Sequence, residues 1–184
     1  RYIGSAGIQY SYDTRFSVFS HDPDGTLVNA DGVTVGKTGT KSMADQMAAW
    51  GYIGFAVDVY GEGRQTQEVE QKAQWMAPFM AERGHLLLRL KAALNTLRLI
   101  PTVDTRRIAV IGFCFGGLCA LDLARSGEQG LCGAVSVHGL LQASSSPVPA
   151  HSIPAKILAL HGYDDPLVGA KQVYAFTQEM KAAG

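Results

Sequence analysis

Gly112-Phe113-Cys114-Phe115-Gly116-Gly117 follows an apolar run at 107–111 and precedes a helix-like stretch at 118–125, so a buried strand must turn sharply into a helix here. Such a strand–turn–helix with a nucleophilic side chain at its apex is a nucleophile elbow, with Cys114 in the place usually held by serine. Glycines are required around the apex because the tight turn brings backbone so close that a Cβ would clash, and Gly112 and Gly116 meet that demand. At a helix N-terminus Cys114 faces unpaired N–H groups and the positive end of the helix dipole, both of which favour thiolate over thiol. The N–H of Phe115, the next residue, then points where an oxyanion would form on an attacked carbonyl. The plainer alternative is a junction that needs small residues only for packing. Cys119 and Cys132, one in the helix and one at a strand start, read as buried small apolar residues.

Outward from the elbow, apolar runs at 52–59, 107–113, 132–138 and 156–161 alternate with helical patterns. Ser42 is placed to cap a helix carrying Met43, Met47 and Trp50, which Gly51 stops. Residues 68–100 are helical in composition, with Leu87, Leu90, Leu94 and Leu97 at helical spacing, interruptions near Pro78 and Gly84, and an end at Pro101. This alternation predicts an α/β fold, a mostly parallel sheet covered by helices on both faces. Residues 1–40 differ: short alternating runs with Asp24-Gly25 and Asp31-Gly32 as turns predict antiparallel N-terminal hairpins. Residues 143–150, rich in Ser and Pro, read as a surface loop.

The chain has 184 residues, enough for one domain with its own core, and its 47% apolar and 17% charged content argues against disorder. Sixteen basic residues balance sixteen acidic ones, so no net field draws in nucleic acid or an anionic membrane. The apolar stretch 108–121 is too short to span a bilayer, and the first residues lack the apolar core of a secretory signal. Three cysteines without a repeated spacing fit neither a disulfide framework nor a zinc site, which favours a cytoplasmic setting. Gly36-Lys37-Thr38 invites comparison with a phosphate-binding loop, but Asp31 stands where that motif requires glycine.

A nucleophilic cysteine needs a base, usually histidine, and a group that orients it. The acidic turn His161-Gly162-Tyr163-Asp164-Asp165-Pro166-Leu167-Val168 lies at the carboxyl end of a strand, where open α/β sheets place their sites. Asp165 is the candidate orienter; the alternative is a solvated turn in which Asp164 or Asp165 caps the next helix. His138 and His161 end apolar strands and read as satisfied sheet-edge histidines.

The elbow 112–117 and the segment His161-Gly162 to Asp165-Pro166 and Val168 together resemble the dienelactone hydrolase family of α/β-hydrolases. Residues 44–52, leading into Val57-Asp58-Val59-Tyr60-Gly61, resemble that family's helix–strand unit, and the similarity covers roughly residues 42–184. The resemblance implies a three-layer α/β-hydrolase sandwich, Cys114 as nucleophile, Asp165 as triad acid and the Phe115 N–H as one oxyanion donor. Arg64 falls where the family can bind a substrate carboxylate. The reaction implied is hydrolysis of a small-molecule ester or lactone through an acyl-enzyme, with no metal or organic cofactor.

Two departures accompany it. The family's histidine lies some two dozen residues beyond the triad aspartate, so it is expected past Gly184; His21, His85, His138, His151 and His161 all precede that position. A strand ending in a His-Glu loop, source of the second oxyanion donor, is replaced by residues 32–40, so omitted residues near 40 and a missing C-terminal part are expected. A class I glutamine amidotransferase would need a His-x-Glu downstream of the elbow, which no histidine here provides. The non-enzymatic alternative is a hydrolase-like binding module without turnover.

Overall fold

A computed structural model describes residues 16–21, 39–62, 64, 66, 68–144 and 152–184. The Gly36-Lys37-Thr38 segment, both Asp-Gly turns and most of the 143–150 loop lie outside them. Among the described residues five strands form one sheet in the order β2-β1-β3-β4-β5, where β1 is Phe16–His21, β2 Tyr52–Ala56, β3 Ile108–Phe113, β4 Leu131–Val137 and β5 Lys156–Leu160. The pairs β3·β4 and β4·β5 are parallel, while β1 runs antiparallel to both β2 and β3. Four strands therefore share one direction and β1 alone opposes them. The antiparallel character expected of the N-terminal segment holds for β1, but its partners are not local: it lies inside the sheet rather than in a hairpin with its sequence neighbours.

Helices α1 (Gly39–Ala49), α2 (Val69–Ala81), α3 (Arg83–Arg98), α4 (Phe115–Arg125) and α5 (Ala170–Ala183) connect and cover the strands. A Cβ on Gly54 would meet the backbone of Ala44 in α1, so that face of β2 lies under α1. Gly54 pairs with Phe19, and Phe19 with Ala109, which puts Ala109 on the α1 face. Side chains alternate along a strand, so Ile108, Val110 and Gly112 point to the other face, where a Cβ on Gly112 would overlap the Gly116 carbonyl of α4. Helices on opposite faces of a mostly parallel sheet make the three-layer α/β-hydrolase sandwich.

The α4 face is the drier one. All eleven residues of α4 are buried, and Ile108, Val110 and Ala134 beneath it are at most 1% exposed. Leu86, Leu90, Leu94 and Leu97 of α3 are fully buried in the same core cluster. The spacing expectation was one residue off at its start: Leu86 faces the core and Leu87 is only half-buried. The break in the long helical region falls at Glu82, between the two flagged residues. Pro78 sits inside α2, where it lacks the N–H for the bond one turn back, and Glu82 N–H closes the last turn on the Pro78 carbonyl. Ser42 lies within α1 instead of capping it, because the helix begins at Gly39; Gly51 ends it with φ of +85°.

At the amino end of the parallel strands, Glu128 accepts ion pairs from Lys91 and Arg98, each at 3.0 Å. Burial opposes its charge, but the hydrogen bonds and charges of those two cations outweigh it and hold the carboxyl below its usual value of 4.5. A depressed folded-state pKa adds stability above the unfolded value that disappears as pH falls through the folded one. The thermal midpoint should therefore drop more steeply from about pH 5 to about pH 3 in the wild type than in Glu128→Gln; parallel curves would remove Glu128 from the acid response.

Two glycines separate steric demand from simple flexibility. Gly112→Ala must push α4 off the sheet and should lower unfolding free energy by about 3 kcal/mol. Gly84→Ala, in α3 with nothing within 4 Å of the new Cβ, should raise it by about 0.5–1 kcal/mol. Urea unfolding of both variants checks the pair.

Candidate active site

The register of the sheet sets the site. Phe113 pairs with Val137, and Val137 with Leu160, so the next residues, Cys114, His138 and His161, stand in a row across the carboxyl ends of three parallel strands. Neighbouring strands lie roughly 4.8 Å apart, within side-chain reach. Backbone bonds tie the row together: Cys114 N–H donates to the Val137 carbonyl at 3.0 Å, and His138 N–H to the Leu160 carbonyl at 2.8 Å.

Cys114 takes φ +51°, ψ −114° at the N-cap of α4, and His138 takes φ +55°. Among the described residues only one other non-glycine, Glu62, has positive φ. Such backbone costs about 1–3 kcal/mol and persists only where the surroundings over-determine it. At Cys114 the determinants are visible. The elbow packs Gly112 on the Gly116 backbone, and a Cβ on Gly117 would come within 2.6 Å of Ser136 Oγ and 2.8 Å of Gly139 Cα. A side chain is thus excluded at Gly112 and Gly117, and Gly116 contributes the backbone that Gly112 must accommodate.

Cys114 Sγ lies 3.4 Å from His138 Nδ1, and His138 Nε2 lies 3.0 Å from Asp165 Oδ2. The three side chains form a continuous line from sulfur through imidazole to carboxylate. His138, read from the sequence as a satisfied sheet-edge residue, stands directly after β4 with both ring nitrogens partnered, one by Cys114 and one by Asp165. The same contact gives Asp165 an imidazole neighbour within the chain, while the histidine expected past Gly184 lies outside the described residues. The His138 side chain is 39% exposed and that of Asp165 only 2%, so solvent reaches the imidazole while the carboxylate stays dry.

Asp165 is held by its own turn. Its Oδ1 accepts the Leu167 N–H at 2.9 Å, its N–H donates to the Gly162 carbonyl, and its carbonyl accepts the Val168 N–H, both at 3.3 Å. Because α5 begins only at Ala170, this is a side-chain-stabilised turn and not a helix cap. His161 staples the turn through Nε2, 3.1 Å from the Val168 carbonyl, which requires the proton on Nε2. Its other nitrogen, Nδ1, is buried without a hydrogen-bond partner, 3.7 Å from Asp165 Oδ2. His161 is thus only half satisfied.

Phe115 is buried, with its ring stacked on Tyr60 at a centroid distance of 6.1 Å. As the first residue of α4 its N–H is among the donors that have no acceptor within the helix. Tyr60 packs against Trp75 and Phe79 as well, and burial, with the nearby Cys119, pushes its phenol well above its usual pKa. Arg64 is exposed and bound by Glu62, Nη2 to Oε2 at 2.6 Å, on the loop after β2. Its contacts therefore run to Glu62 and not to Cys114, His138 or Asp165.

The other two thiols diverge. Cys119 is fully buried, and burial followed by the Asp122 charge pushes its thiol well above the usual value, as expected of a core residue. Cys132 is exposed, contrary to expectation. Ile108 pairs with Leu131 but Ala109 pairs with Gly133, so Cys132 is the extra residue of an irregularity in the ladder, its sulfur 3.0 Å from the Arg106 carbonyl. Among the described residues no group of three or more His, Cys, Asp or Glu is arranged to hold a metal ion, and no helix is long and apolar enough to cross a membrane.

An uncharacterized Caenorhabditis elegans protein is 40% identical over 105 residues, which cover 54% of this chain and 63% of that protein. A probable 2-oxo-3-(5-oxofuran-2-ylidene)propanoate lactonase of Bradyrhizobium sp is 27% identical over 149 residues, covering 77% of this chain and 59% of the lactonase. The chain thus spans about three fifths of the length of these relatives. Among solved structures, m3DLH matches with a TM-score of 0.73 at 32% identity, over 89% of this chain and 67% of that one. A dienelactone hydrolase-like promiscuous phosphotriesterase from metagenomic libraries matches with a TM-score of 0.74 at 30% identity, over 91% and 71% respectively. The sequence profile of the dienelactone hydrolase family matches residues 26–184, and with most of its length inside that match the chain belongs to this family of hydrolases.

Proposed function

We propose that this protein hydrolyses a small-molecule ester or lactone through a thioester on Cys114, with Asp165 as the orienting acid and with His138, the imidazole lying between them, as a candidate general base beside the histidine that the family resemblance expects past Gly184. The observation that carries the reading is the line Cys114 Sγ to His138 Nδ1, 3.4 Å, and His138 Nε2 to Asp165 Oδ2, 3.0 Å. An ionised carboxylate only accepts, so Nε2 bears the proton and Nδ1 is left with the lone pair that faces sulfur. The imidazole then takes the thiol proton as sulfur attacks the carbonyl carbon, and Asp165 stabilises the resulting imidazolium. The two ring nitrogens exchange the duties they have in serine hydrolases, and chain order becomes Cys, His, Asp; triads are recognised by geometry and not by order.

Collapse of the first tetrahedral intermediate breaks the acyl–oxygen bond, and the imidazolium returns its proton to the leaving alkoxide. For a lactone that alkoxide stays tethered to the acyl group. Water, reaching the site past the half-exposed imidazole, gives a proton to His138, attacks the thioester, and releases the carboxylic acid with Cys114 regenerated. The Phe115 N–H at the start of α4 is the proposed donor to both oxyanions, aided by the helix dipole. The Bradyrhizobium relative supports a lactone as substrate class. Arg64 remains the proposed partner of a substrate carboxylate; its exposed pair with Glu62 is of a kind worth about 1 kcal/mol or less, so an incoming anion can displace it.

Hydrolysis of p-nitrophenyl acetate and of a five-membered enol lactone tests the reading. Cys114→Ala should abolish acyl-enzyme formation, His138→Asn should lower kcat about 10²–10⁴-fold, and Asp165→Asn should fall in the same range. Full turnover in His138→Asn with Cys114→Ala inactive would assign the base to the histidine expected past Gly184. An inert wild-type protein would favour the binding module.

Thiol mapping by iodoacetamide and peptide mass spectrometry gives a second check. Cys114 and the exposed Cys132 should label in the native protein, and Cys119 only after unfolding. Protection of Cys114 in the native state would sink the proposed nucleophile.

A further inference from the structure

Helix α4 carries the elbow at its first end and a buried guanidinium, that of Arg125, at its last. Glu179 of α5 grips that group through two bonds, from Nε to Oε1 at 2.8 Å and from Nη2 to Oε2 at 2.7 Å. Arg125 Nη1 also donates to Asp122 Oδ1 at 3.3 Å, and Asp122 Oδ2 accepts from Arg83 Nε of α3 at 2.6 Å. Two cations and two anions cancel in a nearly dry cluster, where the side chains of Arg125 and Asp122 are 5% and 6% exposed. Beside it lies a small core in which Leu121 of α4 and Leu141 meet Val168 and Phe176, and the guanidinium lies over the Phe176 ring. Leu121 and Arg125 stand one turn apart on α4, as Phe176 and Glu179 do on α5, so apolar contact and ion pair form one seam between the two helices.

That seam begins at the triad acid. Helix α5 starts at Ala170, five residues after Asp165, and Val168 between them is buried in the seam. Upstream, the turn bearing Asp165 is held by β5 and by the His161 bond to the Val168 carbonyl. Downstream, no side chain caps α5, so its seat on α4 decides where the turn is anchored. Four apolar side chains resist sliding only weakly, because dispersion and burial are not directional. A planar guanidinium bound by both carboxylate oxygens is directional and admits one register. A helix that slips by one residue moves about 1.5 Å.

We infer that the Arg125–Glu179 fork positions the triad acid: it fixes α5 against α4, and so sets the Asp165 carboxylate relative to the sulfur at the other end of α4. This rests on the hydrolase reading above for the roles of Cys114 and Asp165, and it is indifferent to which imidazole serves as base. All eleven residues of α4 are buried, which makes that helix a firm reference for both groups. A buried ion pair usually contributes little net stability over an apolar replacement, so the consequence of this one is geometric. Arg125 and Glu179 touch none of the reacting atoms and are positioning residues.

Steady-state hydrolysis of p-nitrophenyl acetate by the full-length protein tests this, beside thermal midpoints and a double-mutant cycle with Asp165→Asn. Glu179→Gln keeps the shape and one acceptor, and Asp122 remains as counter-ion to Arg125. It should lower kcat roughly 10-fold with KM changed less than about twofold, because a displaced acid weakens the chemical step and not uniform binding. Arg125→Lys keeps the charge but not the fork and should lower kcat roughly 10- to 100-fold. In an Asp165→Asn background neither substitution should lower kcat further, since the group they place is gone. Glu128→Gln, at the amino end of the strands, is the control for lost stability alone and should leave kcat unchanged.

Unchanged kcat in either variant despite a lowered thermal midpoint would overturn the positioning role and leave the hydrolase reading intact. Equal losses with and without the Asp165 carboxylate would overturn it also. Wild-type turnover in Asp165→Asn itself would overturn both the positioning role and the assignment of Asp165.

Discussion

The structure depends on one close approach, the backbone of Gly112 on β3 against the backbone of Gly116 on α4. No side chain fits between them, so the helix starts within two residues of the strand's end and the intervening residue must take an unusual conformation. Cys114 is that residue. Its positive φ lifts the sulfur out of the sheet, and its position as N-cap places it beside the open N–H groups of α4. Nearly everything that packs around the elbow, from the buried length of α4 to the apolar faces of β3 and α3, keeps these two backbones pressed together.

Much of this was legible in the sequence because its signals are local. Glycines at 112, 116 and 117 around a cysteine, after an apolar run, announce a steric demand that few other arrangements meet. The apolar runs marked β2 to β5 to within a few residues of their observed bounds. Asp165 was legible as an acidic residue in a turn at a strand's carboxyl end.

What was not legible depends on register and on long-range contacts. His138 looked like the ordinary end of a strand, and its place beside Cys114 follows only from the pairing of Phe113 with Val137 and from a φ that no pattern announces in a histidine. One signal was present: Gly139 follows it, and a glycine directly after a polar strand end marks a backbone that leaves the sheet abruptly. Cys132 was misread for a related reason, because the irregularity that exposes it is a property of two strands together. Arg83 and Asp122 are 39 residues apart in sequence, and Arg125 and Glu179 are 54 apart. Charged residues in helical patterns read as solvent-facing until the fold shows a neighbour on every side.

The row Cys114, His138, His161 also explains why two imidazoles meet one carboxylate. Each of three parallel strands ends at the same level, and each delivers one polar residue there. The outer one, His161, donates from Nε2 to the Val168 carbonyl and thereby closes the turn that carries Asp165. Its remaining nitrogen sits beyond hydrogen-bond distance of Asp165 Oδ2, at 3.7 Å. That oxygen is left to the inner imidazole, His138, at 3.0 Å. The two histidines divide by position: one shapes the loop that carries the acid, and the other lies within reach of both acid and sulfur.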